Sequence, residues 1–176
     1  MSGIEAKLER LSANISALPS ALICYSGGVD SAFVLAVATR QLGERAIGMG
    51  QWTLIYDMFW SAYGGNVEWL YVRPEHRGGG VVAAIVAEIS AQVRDAGGDF
   101  LHGGGSRDAE ALYERVAMGW KAHGCYVSAE AFQALADLAG LAPRDIIRRL
   151  PDPGLNKVAA RARCPRLTAA SSSEGW

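Results

Sequence analysis

Apolar residues along the chain change period from segment to segment. Ile4, Leu8, Leu11, Ile15 and Leu18 recur at steps of three and four, which predicts an amphipathic helix over 4–17 ended by Pro19. Ala21 to Tyr25 is a short apolar run stopped by Ser26-Gly27-Gly28, the pattern of a buried strand entering a turn. Residues 29–42 fit two readings. Asp30 or Ser31 could cap a helix ending at Leu42-Gly43, yet Phe33 to Val37 also suits a strand leading into a hairpin there.

Residues 45–60, with Ile47, Trp52, Leu54, Ile55, Phe59 and Trp60, read as a long strand. Val67 to Val72 reads as its antiparallel partner across the turn Ser61 to Asn66. A glycine-rich loop, Pro74 to Gly80, precedes a helix over 81–96 with Val82, Ile85, Val86, Ile89 and Val93 on one face. A short strand at Phe100-Leu101, a helix over 106–116, strand-like residues 119–127 and helices over 129–139 and 143–149 follow. Pro151 and Pro153 break the pattern, and the Ser-rich end reads as a flexible tail over 151–176. No internal repeat is visible.

The chain has 176 residues, enough for one domain with a sizeable core. We expect that domain over 1–150, with a distinct segment 1–44, a central core 45–127 and C-terminal helices 128–150. Hydrophobic residues make up 50% and charged residues 20%, which excludes a wholly disordered chain. The net charge of −1 supplies no field for nucleic acid or an anionic membrane, so neither is expected as a partner. Apolar runs stop well short of the ~20 residues of a membrane span, and the N-terminus lacks the pattern of a signal peptide. Cys24, Cys125 and Cys164 are odd in number and widely spaced, which suits reduced thiols in a cytoplasmic protein, and no metal-ligand spacing is present.

The strand–glycine–helix run from Val67 to Val86 carries the most chemistry. Its loop, Arg77-Gly78-Gly79-Gly80, opens directly into a helix whose first amides and dipole make an anion cradle, and glycines there let a diphosphate approach the backbone. Residues 67–120 resemble the GNAT family of N-acetyltransferases, which use acetyl-CoA. The resemblance rests on Leu70-Tyr71-Val72-Arg73-Pro74-Glu75-His76-Arg77-Gly78-Gly79-Gly80 and on Ala109-Glu-Ala-Leu-Tyr113-Glu-Arg-Val-Ala-Met118.

That resemblance implies an α/β fold: a mixed, mostly antiparallel sheet flanked by helices, with a V-shaped opening for acetyl-CoA. It implies that the amides from Gly78 through Val81 and Val82 to Ala83, with Arg77, hold the pyrophosphate, and that Leu70, Tyr71 and Val72 line the pantetheine. Ser106 falls where the family often has Asn, and Val82 where it usually has Gly or Ala. Tyr113 is implied as proton donor to the departing thiolate, and Glu68 as the carboxylate that takes the amine proton. Trp52, Tyr56 and Asp57 are expected to wall an acceptor pocket, Asp57 attracting a cationic amine. The expected activity is direct acetyl transfer from acetyl-CoA to an amine of a small molecule or peptide, without metal, in a possible homodimer.

A second resemblance competes at the N-terminus. Ala21 to Ser31, with Ser26-Gly27-Gly28-Val29-Asp30-Ser31 after an apolar strand, resembles the PP-loop of ATP pyrophosphatases. It covers only residues 4–48, so we expect a structural segment whose strand joins the sheet. A remnant site for ATP or pyrophosphate, and a catalytically inactive GNAT-like binding domain, are the alternatives.

Overall fold

A computed structural model describes residues 3–58, 61–104, 119–121 and 124–152. Helix α1 (Gly3–Ser16) leads to strand β1 (Ala21–Tyr25), helix α2 (Val29–Leu42) and the long hairpin of β2 (Ala46–Asp57) and β3 (Ala62–Val72). A 3₁₀ turn (Pro74–His76) and the glycine loop lead to α3 (Val81–Asp95). Strands β4 (Phe100–Gly103), β5 (Gly119–Lys121) and β6 (Gly124–Ser128) and helices α4 (Ala129–Ala136) and α5 (Pro143–Arg149) complete the described chain.

The six strands lie in one mixed sheet, in the order β1-β2-β3-β4-β6-β5. β1 runs parallel to β2, and β3 parallel to β4, while the other pairs are antiparallel. The expected α/β architecture is therefore present. It also decides residues 29–42. Two neighbouring parallel strands need a crossover, and α2 supplies it between β1 and β2. β1 joins the sheet along its full length, from Ala21 to Tyr25.

Helices cover the sheet on both faces. Ile85, Ile89 and Val93 of α3 pack with Phe132 and Leu135 of α4, Ile146 of α5, and Trp52, Val67 and Leu101 of the sheet. Glycines let α3 come close: a Cβ on Gly50 would lie 2.5 Å from Ile85 and 2.8 Å from Ile89. A smaller cluster on the other face joins Ile15 of α1 and Val37, Ala38 and Leu42 of α2 to Ile23 of β1. Burying such side chains stabilises each face by roughly 1.5–3 kcal/mol per large aliphatic residue.

Candidate functional site

Strand β3 parts from β4 at one point. β3 pairs with β4 only from Gly65 to Val67, opposite Leu101 to Gly103. Beyond Val67 no described strand lies along that edge of β3, and among the described residues Trp69 to Val72 pair with β2 alone. Among the described residues this leaves the β3 edge at Leu70, Tyr71 and Val72 without a neighbouring strand.

Glu68 follows the last residue of β3 that pairs with β4, on a β-bulge. Gln51 pairs with Trp69 and Trp52 with Val67, so Glu68 is the extra residue on β3. The bulge inverts the alternation after it. Val67, Leu70 and Val72 turn toward α3, where Val67 and Val72 are buried, while Trp69 and Tyr71 stay exposed on the opposite face. The Glu68 carboxylate lies on that open face too. Gln51 Nε2 donates to its Oε2 at 3.0 Å, and Thr53 Oγ1 donates to its Oε1 at 3.0 Å. Tyr25 Oη in turn donates to Gln51 Oε1 at 2.7 Å. The chain Tyr25–Gln51–Glu68 thus crosses three neighbouring strands.

The loop after β1 closes over this network. Gly27 has φ +74°, and its missing Cβ would lie 3.5 Å from Thr53 Cγ2 and 3.7 Å from Gln51 Nε2. The Ser26-Gly27-Gly28 turn therefore packs on the two side chains that hold Glu68.

The opposite end of β3 leads to the glycine loop. Arg77 Nε donates to the Val72 carbonyl at 3.1 Å, which pins the guanidinium at the strand end. Helix α3 has no side-chain cap, and its first turn closes with the Ala84 amide on the Gly80 carbonyl at 3.1 Å. The amides of Val81, Val82 and Ala83 consequently have no partner within the helix. Val82 leans on the main core rather than over these amides. Gly78 has φ +78° and open space at its missing Cβ, and at Gly79 only the His76 carbonyl, at 3.8 Å, comes near. A cradle of free backbone amides, open where side chains would stand, fits a diphosphate.

Gly80 has a different duty. With φ +85°, its Cβ would lie 2.7 Å from the Pro143 carbonyl and 2.6 Å from Ile147. It is glycine because α5 packs against it.

A match follows from comparison with known families. The model described as the Acetyltransferase (GNAT) family matches residues 16–120. The chain belongs to the GNAT acetyltransferase family. As a GNAT protein it has an acetyltransferase-type activity, and its family generally binds acetyl-CoA and an acceptor. The matched region includes Ser26 to Ser31, so that loop is part of the GNAT domain, and the pyrophosphatase resemblance has no support among the comparisons. No curated protein and no solved structure matches the chain.

Within this GNAT domain the expected acceptor wall is not brought together. Trp52 is 5% exposed, faces α3 and donates its Nε1–H to Gln92 Oε1 at 2.9 Å. It is a core residue, because its strand position falls on the α3 side. Tyr56 stacks edge-to-face on Tyr63 with centroids 5.0 Å apart, near the hairpin tip. Asp57 ends β2, four residues past Thr53 and so about 13 Å further along the strand. Neither reaches Glu68. Ser106 and Tyr113 lie outside the described residues.

Tyr25, Gln51, Thr53 and Trp69 had no part in the site expected from sequence. The available signal was Gln51 and Thr53 at alternate positions of an otherwise apolar strand, hence on one face. A cleft of about 610 Å³ between α1 and α2, lined by Leu8, Phe33 and Val37 among others, includes neither Glu68 nor the glycine loop. Cys24 faces α3, its thiol donating weakly to the Ile85 carbonyl at 3.8 Å. Burial, with the nearby Glu88 charge, pushes that thiol from 9.0 up to about 12. It is protonated at neutral pH and unsuited to carry an acyl group.

Proposed function

We propose that the protein transfers an acetyl group from acetyl-CoA to a primary amine by direct attack in a ternary complex. The observation that carries this is the coincidence at β3: the strand loses its β4 neighbour at Val67, bears a hydrogen-bonded carboxylate at Glu68, and ends in an uncapped glycine cradle.

Each part has a physical role. The amides of Gly78 to Ala83 and the Arg77 guanidinium take the pyrophosphate, aided by the α3 dipole. The unpaired edge at Leu70 to Val72 takes the pantetheine and aims the thioester at Glu68. Glu68 accepts a proton from the ammonium of the acceptor, leaving a neutral amine. The amine attacks the carbonyl carbon, the C–S bond breaks as the thiolate takes a proton from Tyr113, and the proton that the nitrogen loses on becoming an amide goes to the Tyr113 phenolate.

Thiol release measured against a panel of amines tests the reading. Glu68→Gln is expected to cut kcat by about 10²–10⁴-fold and Tyr113→Phe to lower kcat with acetyl-CoA affinity retained. Wild-type turnover in both variants would remove this mechanism.

A further inference from the structure

The face of β3 that carries Glu68 also carries two large exposed aromatic side chains. Trp69 is 67% exposed and Tyr71 50%, whereas the same strand buries Val67 and Val72 on its other face to 6% each. Single exposed apolar residues are ordinary. These two are paired by the bulge: it places Glu68 and Trp69, consecutive in sequence, on one face, with Tyr71 next along it.

The carboxylate between them and the N-terminal loop is held by neutral donors only. Gln51 and Thr53 satisfy one oxygen each, and no cation among the described residues pairs with Glu68. An uncompensated carboxylate beside exposed aromatic faces is the chemistry that binds an organic cation. The acid supplies charge, and the rings supply cation–π attraction and apolar area. The Cα positions of Trp69 and Tyr71 stand about 6.6 Å apart along the strand, a spacing that suits one flat group between their side chains.

We propose that the acceptor is a primary amine borne on a flat apolar body, its ring against Trp69 and Tyr71 and its ammonium at Glu68. The inference rests on the acetyl-transfer reading for its reaction, but its binding half stands separately. The amine then sits on the open face of β3, and the thioester on the unpaired edge of the same residues. Trp69 is the residue that selects the acceptor, while Glu68 acts on its proton.

The full-length protein, acetyl-CoA and two probes, 2-phenylethylamine and ethylamine, test this. Thiol release should give kcat/KM at least tenfold higher for 2-phenylethylamine. Trp69→Ala should erase that preference by raising KM with kcat nearly unchanged, and Trp69→Phe should restore most of it. A merely structural role would not separate KM from kcat or be rescued by Phe. Equal kcat/KM for the two amines, or a preference that survives Trp69→Ala, would overturn the proposal.

Calorimetric titration of 2-phenylethylamine reads the subsite without turnover. Saturable binding weakened at least tenfold in Trp69→Ala supports it even if no acetyl transfer occurs, a result that would count against the catalytic reading alone. No binding to the folded protein, or a Trp69-dependent dimer in sedimentation whose dissociation leaves amine binding unchanged, would overturn it in favour of a second copy on this face.

Discussion

Gln51 Nε2 donates to Glu68 at 3.0 Å, and the Oε1 of the same amide accepts from the Tyr25 hydroxyl at 2.7 Å. The carboxylate only accepts, so Nε2 faces it, and the Oε1 left at the other end takes the Tyr25 hydroxyl proton, which restrains the amide. A flipped amide would set an oxygen against the Glu68 oxygen. Tyr25 is therefore a positioning residue that acts through Gln51.

Tyr25→Phe should keep the fold, since the ring stays on β1, and lower kcat by roughly tenfold, less than the 10²–10⁴ of a lost base. Gln51→Leu should do the same or more, while acetyl-CoA affinity holds in both. Steady-state kinetics with the best amine, beside calorimetry with acetyl-CoA, is the check. Unchanged kcat in both variants would show that the hydrogen bonds do not position Glu68.

Trp52 offers a contrast. Buried against α3 and bonded to Gln92, it belongs to the core. Trp52→Phe should cost about 1–2 kcal/mol of stability, from a lost hydrogen bond and a small cavity. Chemical denaturation should register that cost, with KM for the acceptor unchanged. A raised KM at unchanged stability would restore Trp52 to the acceptor site.

The misplaced Trp52 and the unforeseen Trp69 have one cause. Alternation shows which residues share a face, not which face is covered, and a single extra residue swaps the faces. Nothing in Val67-Glu68-Trp69-Leu70 marks Glu68 as that extra residue. The C-terminal half of β3, the glycine loop and α3 were legible because Val67 to Val72, Gly78 to Gly80 and the helical period after Val81 each carry a local signal, whereas the turn expected at Ser61 to Asn66 is wrong, since Ala62 to Asn66 continue β3 and pair with β2. The distinct duties of Gly79 and Gly80 were not, since the second is fixed by Pro143 and Ile147, some 60 residues away in sequence. Residues 29–42, whose apolar run Phe33 to Val37 suits either period, needed the parallel pairing of β1 and β2 to be read as a helix.

Cys24 sets a pH dependence of stability. Its thiol titrates near about 12 in the folded protein against 9.0 ordinarily, pushed up by burial and then by Glu88. The unfolded chain loses this proton first as pH rises, so the folded state is favoured below 9 and loses that advantage between 9 and 12. The slope is at most about 1.4 kcal/mol per pH unit. Urea melts at pH 7 and pH 10 should show the stability gap between wild type and Cys24→Ala shifting against wild type by about that amount. A gap that does not change with pH would mean the thiol ionises normally.

The central claim is that the uncapped start of α3 holds the diphosphate of acetyl-CoA, and Gly79 tests it most directly. Its missing Cβ faces open space with an ordinary φ, so Gly79→Val should fold with stability within about 0.5 kcal/mol of wild type while filling the cradle. Gly80→Ala is the control: its positive φ and the Pro143 carbonyl should cost about 1–3 kcal/mol of stability. Calorimetric titration of acetyl-CoA should give saturable binding to wild type and affinity at least about tenfold weaker, roughly 1.4 kcal/mol, for the folded Gly79→Val protein. Equal affinity in the two, or no binding to wild type, would contradict the account.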